Sequence, residues 1–293
     1  MSLLRAELRK LTGNPMLIGF TVWVFPVGIG AFVVVGILLG LFLPDAARAM
    51  ATTSSGSWIT DAANVWRITS SFPANVFGRL LPLAFMATAF AGEYAWGTLR
   101  QVLPRSPRWA LLVAKSLALV LLLAASFLLT SLINLAGQAG LRGVLDMEYG
   151  PALSWEAVSD FSQVYGRELL LGLLSLLILV GMAALAAVLT RSILGGLLAS
   201  FGLSVLEPMS FMIFLLLQRL FDWQWVMNLY RLVPTYNLDN TRSWLAFGEG
   251  FLQPGSGMES APSLTASLVL LGLWILLLMG AAIWIFQRQD ISE

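Results

Sequence analysis

The sequence predicts an all-α polytopic membrane protein of six transmembrane helices. An N-terminal amphipathic helix lies at the membrane interface, and both termini are cytoplasmic. Three observations carry this reading. Of the 293 residues, 58% are hydrophobic and 11% charged, where a soluble domain carries about 25% charged residues. The mean hydropathy is +0.82. Apolar runs long enough to cross a bilayer recur along the chain, and the basic residues between them are unequally distributed.

Composition also excludes chemistry. The chain has no Cys and no His, which removes disulfides, haem ligation by His, the usual zinc sites and every Ser-His or Cys-His nucleophile. Any metal would need carboxylates. No G-x-x-x-x-G-K-[ST] motif occurs, and neither Lys10 nor Lys115 lies in a glycine-rich loop, so no nucleotide hydrolysis by that route is expected. The net charge of +1 predicts no nucleic-acid partner. No catalytic, cofactor or metal residue is assigned.

In chain order, residues 1–13 read as the interfacial helix, with Leu4, Leu8 and Leu11 on one face and Arg5, Arg9 and Thr12 on another. Gly13-Asn14-Pro15 breaks it. The first span covers 16–43, 28 residues without charge, longer than the roughly 30 Å hydrocarbon core requires, with a kink expected at Pro26. A signal peptide is rejected because this apolar run is about twice the usual length. Residues 44–73 form a polar outer segment. The second span, 74–92, contains Arg79 and Pro82. The third, 109–141, carries Lys115 in its first turns, positioned to snorkel. A second outer segment covers 142–166. The fourth span, 167–190, and the fifth, 193–218, are joined by a tight turn at Arg191-Ser192. Residues 219–262 form the longest outer segment, with Trp223, Trp225, Tyr230, Tyr236 and Trp244 as a headgroup-level aromatic belt around an interfacial helix. The sixth span covers 263–286. The whole chain reads as one membrane unit.

Lys and Arg set the orientation. The side bearing the termini holds nine basic residues and four acids, a balance of +5; the other holds eight Arg and twelve acids, a balance of −4. The termini and residues 93–108 are therefore expected to be cytoplasmic.

Residues 93–108, EYAWGTLRQVLPRSPR, stand out because Glu93, Arg100, Arg105 and Arg108 cluster where charge is scarce. Gly97 permits a sharp entry and Thr98 supplies an N-cap. Leu99, Val102 and Leu103 share one face, with Arg100 and Gln101 turned away. Pro104 and Pro107 end the helix. Such a short helix, 98–103, either docks on another protein or rests on lipid headgroups.

Inside the spans, Glu207 lies 14 residues into the fifth, about 21 Å from its start. A carboxylate at that depth needs a partner or a function. Arg79, expected at similar depth, makes a structural ion pair the favoured reading over a gating carboxylate. Gly196, Ser200 and Ser204 in the fifth span, and Gly36 and Gly40 in the first, form small-residue stripes that suit close helix approach within one subunit or between two. Asn134 and Gln138 are read as interhelical hydrogen-bonding groups rather than substrate ligands.

The pattern resembles the permease subunit of type-2 ABC transporters, of the compact six-span bacterial kind. The residues that carry it are Glu93-x-x-x-Gly97-Thr98-Leu99, then Pro104, Arg108 and Lys115, and the tail Phe286-Gln287-Arg288-Gln289-Asp290-Ile291. The resemblance implies that 98–103 is a coupling helix docking on a separate cytoplasmic ABC-type ATPase, which binds ATP and Mg; this chain itself binds no cofactor. It implies a second permease copy or paralogue, with the first and fifth spans at the interface, and a place in the bacterial inner membrane as a multi-pass exporter subunit, not an enzyme. The substrate stays open. The alternatives are a secondary transporter with no ATPase partner and an intramembrane enzyme. The first predicts two interrupted helices at corresponding positions; the second needs paired acids, and Glu207 has no acidic mate in another span.

Overall fold

Helix-forming apolar runs punctuated by capping residues dictate the element order. The computed structural model describes residues 3–52, 56–70, 76–95 and 107–289. Helix α1 is Leu3–Gly13. Asn14 caps the next helix, accepting from Met16 and Leu17 N–H, and Pro15 takes its first position, where a missing N–H costs nothing. That helix, α2, runs Pro15–Phe42. Short helices α3 (Pro44–Ala51), α4 (Trp58–Asn64) and α5 (Arg67–Ser70) follow, then α6 (Val76–Ala95). Helix α7 is Arg108–Val144 and α8 is Trp155–Thr190. Arg191 ends α8 in the left-handed conformation (φ 51°), and Ser192 caps α9, Ile193–Phe221, by accepting from Gly195 N–H. Helices α10 (Met227–Tyr230), α11 (Pro234–Phe247) and α12 (Leu264–Arg288) complete the chain. Among the described residues there is no strand, only an isolated bridge between Ser57 and Gly150.

Helices α2, α7, α8, α9 and α12 are long and apolar enough to cross a membrane, which gives the chain the character of a multi-pass membrane protein. Helix α8 is the centre: 67% of its apolar window is buried, against 17% for α2, 22% for α9 and 17% for α12. Leu171, Leu176, Ala183 and Ala187 of α8 meet Leu83 and Met86 of α6, Leu119 and Leu123 of α7 and Leu271 of α12 in one core. Lipid tails are as apolar as Leu, so these contacts gain from close packing rather than from leaving water.

Small residues make that packing possible. A Cβ on Gly137 of α7 would overlap the Val33 side chain of α2, and one on Gly172 of α8 would sit 2.7 Å from Trp66 Cε3. Gly36 and Gly40 of α2 face Leu141 and Val144 of α7, whose side-chain atoms lie 3.3–3.5 Å from where a methyl group would stand, and Gly196 of α9 faces Ala187 of α8. Ser200 and Ser204 are fully buried. Both small-residue stripes are thus used within this chain. The outward faces of the same helices carry Phe32, Val35 and Leu38, and Leu198, Leu206 and Leu216, all exposed.

Several sequence expectations need correction. The irregularity in α2 is a π-helical turn at Gly19–Trp23, ahead of Pro26, and Ser126 Oγ of α7 donates to the Val22 carbonyl there at 2.8 Å. Residues 56–70, within the expected polar outer segment, are helical and packed against the bundle. Trp66, 1% exposed, stacks edge-on to Phe127 at 5.5 Å, while Ser131 Oγ and Asn134 Nδ2 donate to the carbonyls of Ala62 (3.1 Å) and Asp61 (2.8 Å). Helix α8 begins at Trp155 rather than 167, because Ser154 caps it by accepting from Ala157 N–H. Helix α11 is packed in, not laid on the surface: Tyr236, Asn237 and Asn240 are fully buried. Lys115 does not snorkel; it is 4% exposed.

Gly137→Ala is expected to destabilise the protein by about 1–3 kcal/mol through overpacking. Val33→Ala in the same chain should recover most of the loss, a coupling read as non-additive thermal midpoints in detergent. Additive effects would mean that α2 and α7 do not meet there.

Candidate functional site

Helix α6 carries a buried charge network near each end. Arg79 begins the first. A proline inside a helix leaves the carbonyl four residues earlier without its donor. Pro208 does this to Ser204 of α9, and Arg79 Nη1 donates to that carbonyl at 2.9 Å. The same nitrogen lies 3.3 Å from Glu207 Oε2, Arg79 Nε donates to the Thr69 carbonyl at 3.0 Å, and Nη2 donates to Thr235 Oγ1 at 3.1 Å. Glu207 also accepts from the Thr235 backbone N–H at 2.6 Å and its hydroxyl at 2.7 Å. Thr235 sits in the first turn of α11, where a helix presents free N–H groups and positive potential. The Arg79 and Glu207 side chains are 4% and 7% exposed. Both charges are paired and hydrogen-bonded, the condition under which burial is tolerated. A carboxylate with this many donors is not poised to take up a cargo.

The second network lies where α1, α6 and α7 meet. Glu93 pairs with both Lys10 of α1 and Lys115 of α7. Lys115 Nζ also donates to the Ala89 carbonyl at 3.1 Å and lies 6.0 Å from the Phe90 ring centre. Glu7 of α1 is 7% exposed, with Oε2 lacking a hydrogen-bond partner. Burial pushes its carboxyl above the ordinary value, and Glu93 adds to this, while Lys115 and Lys10 oppose it.

Arg108 anchors the start of α7 to the end of α12. Its Nη1 donates to the carbonyls of Phe286 (3.0 Å), Gln287 (3.2 Å) and Gln289 (2.7 Å), the unsatisfied last-turn acceptors of a helix. Tyr94 Oη donates to Gln289 Oε1 at 2.8 Å, and Gln289 Nε2 donates to the Val188 carbonyl of α8 at 2.6 Å. Glu93 and Arg108 therefore flank residues 96–106 from two fixed positions. Gly97, Thr98, Leu99, Val102 and Leu103, with the expected helix 98–103, lie outside the described residues.

A third cluster escaped the sequence reading. Glu168, 2% exposed, is approached by Arg67 (3.4 Å), Arg167 (3.5 Å) and Arg242 (3.2 Å), and Arg242 also reaches Asp239 (2.5 Å) and Ser70 (2.9 Å). The adjacency of Arg167 and Glu168 at the expected start of the fourth span was the signal the sequence carried, and it reads as an ordinary span boundary. Among the described residues no group of three or more acidic side chains could hold a metal ion. No protein-family model and no curated protein matches the chain.

Arg79→Ala should cost about 3–5 kcal/mol, because it strands a buried carboxylate and an orphaned carbonyl. Glu207→Gln should be milder than Glu207→Leu, since an amide keeps hydrogen bonds that leucine cannot. Thermal unfolding in detergent measures both, and an unchanged midpoint for Arg79→Ala would exclude the network as a stabilising element.

Glu7 sets a pH dependence. A carboxyl whose folded pKa is raised holds its proton after the unfolded chain has lost it, so its contribution to stability falls as pH rises through and above 4.5. Glu7→Gln, neutral at every pH, should gain midpoint relative to wild type on going from about pH 4 to about pH 7. A constant difference would show that the carboxyl is not perturbed by its burial.

Proposed function

We propose that this chain is the permease subunit of an ATP-driven exporter of the type-2 ABC kind. In this reading α6, whose 20 residues rise about 30 Å, is the second of six spans. Helix α1 is amphipathic and lies at the cytoplasmic face with both termini, and the protein resides in a bacterial inner membrane. A separate cytoplasmic ATPase carries the ATP and Mg, and a second permease copy or paralogue completes the transporter. This chain does no catalysis of its own. Its substrate is not named by anything in the site.

One observation carries the reading: both flanks of residues 96–106 are clamped to the bundle. Glu93 is tied to α1 and α7 through Lys10 and Lys115, and Arg108 is tied to the end of α12 through three carbonyls. A loop that merely rested on lipid would need no such anchorage. A segment that receives force from a partner does, because displacement at 98–103 reaches the spans only through stiff flanks. Rigid-body movement of the spans then opens the path between permease protomers. The buried contacts of Glu207 agree with this division: the outer charges hold the bundle together, and the cytoplasmic ones hold the coupling segment.

The test is on Val102, at the centre of the expected apolar face. Burying a Val or Leu fully is worth about 1.5–3 kcal/mol, so Val102→Asp should reduce copurification of the ATPase with the permease about tenfold or more, at unchanged permease yield. Equal recovery with unchanged ATP hydrolysis would mean that the segment rests on lipid.

A further inference from the structure

A cavity of about 570 Å3 lies where α10 and its flanking residues meet the segment before α12, within the range of about 300–1,000 Å3 typical of ligand pockets. Nothing in the coupling reading uses it. Its walls come from two stretches. Trp225, Asn228 and Arg231 belong to one, and Ser256, Glu259 and Ser260 to the other. Gly255 and Gly257 turn the second stretch through the left-handed region, with φ of 75° and 69°, which brings it back against α10.

The cavity is lined by one half-buried cation, Arg231, and one exposed anion, Glu259. Among the described residues neither Arg231 nor Glu259 belongs to an ion pair. Arg231 Nε is buried without a hydrogen-bond partner. Arg is the side chain whose planar fork best fits a phosphate. A simple anion in the same cavity would be repelled by Glu259, and a simple cation by Arg231. A ligand carrying both charges satisfies both walls.

The neighbouring tryptophans bear on where such a ligand is found. Trp223 and Trp225 are exposed, 45% and 59%, and stack in series with Phe221, with ring centres 5.1 Å and 6.2 Å apart. Exposed tryptophans at the end of a membrane-length helix sit at headgroup level, where phosphate and ammonium groups are concentrated.

We propose that this cavity binds a phosphate–ammonium zwitterion, the chemistry of an ethanolamine phosphate headgroup, with Arg231 holding the phosphate and Glu259 the ammonium. Asn228 and Trp225 line the same wall as Arg231. The proposal is independent of the ATPase partner and concerns the full chain alone.

The experiment uses delipidated, purified full-length protein. Binding of dioleoyl phosphatidylethanolamine, dioleoyl phosphatidylglycerol and soluble phosphoethanolamine is read by native mass spectrometry and by the thermal midpoint. Wild type should prefer the ethanolamine lipid over the glycerol lipid by about tenfold or more, the difference that a charge-assisted hydrogen bond supplies. Arg231→Gln should abolish binding of the ethanolamine lipid. Glu259→Gln should erase the preference by admitting the glycerol lipid, and this variant carries the test if Arg231→Gln does not fold. Saturation by soluble phosphoethanolamine would identify a ligand taken from solution; lipid binding with the soluble compound inert would identify a membrane headgroup; either supports the site. Equal binding of the two lipids by wild type, or an ethanolamine preference that survives in Glu259→Gln or Arg231→Gln, would overturn it.

Discussion

The contact between Arg79 and the Ser204 carbonyl is the constraint on which the rest of the bundle depends. Pro208 removes an N–H from the middle of α9, and at membrane depth there is no water to replace it. Arg79 supplies the missing donor, but it brings a charge, and the charge requires Glu207. The carboxylate has lone pairs to spare, and the first turn of α11 fills them with the Thr235 N–H and hydroxyl. Each group is there because the previous one would otherwise be unsatisfied. The chain of requirements ties α5, α6, α9 and α11 together in a region where apolar burial gives little preference for one helix arrangement over another.

Helix α6 connects this network to the one at the other end. Arg79 and Glu93 stand 14 residues apart on it, about 21 Å along the axis. At its far end Glu93 sits between Lys10 and Lys115, and one residue on, Tyr94 joins Gln289 and, through it, α8. Helix α6 is thus held by hydrogen-bonded charges near both ends, on either side of Pro82. Under the proposed function, a push near Glu93 would be felt at the α9–α11 junction without passing through the soft apolar contacts between helices.

Much of this was legible in the chain itself. Apolar run lengths alone indicated α2, α7, α8, α9 and α12, because a membrane requires about 20 apolar residues and tolerates few charges. Gly13-Asn14-Pro15 and Arg191-Ser192 marked helix boundaries as a break and a tight turn, and the structure shows Asn14, Ser192 and Ser263 as capping residues. Arg79 and Glu207 drew attention because a charge within an apolar run is expensive wherever it points. The roles of residues 56–70 and of α11 were not legible. Their polar composition matches an outer segment, and only the bundle shows that the carbonyls of Ala62, Asp61 and Thr69 serve Ser131, Asn134 and Arg79, and that Thr235 of α11 serves Glu207.

The sequence by itself determined that the chain has the apolar character of a multi-pass membrane protein and where its longest apolar helices fall, since these depend on composition and one-dimensional spacing. Tertiary structure alone decided which carbonyl Arg79 would answer, that Lys115 would be buried rather than extended to the interface, and that Gly36, Gly40, Gly196, Ser200 and Ser204 would pack within the subunit. Those outcomes depend on which helix faces meet, and in lipid that choice is made by a few polar partners and close-fitting small residues distributed over distant parts of the chain, not by local apolar pattern.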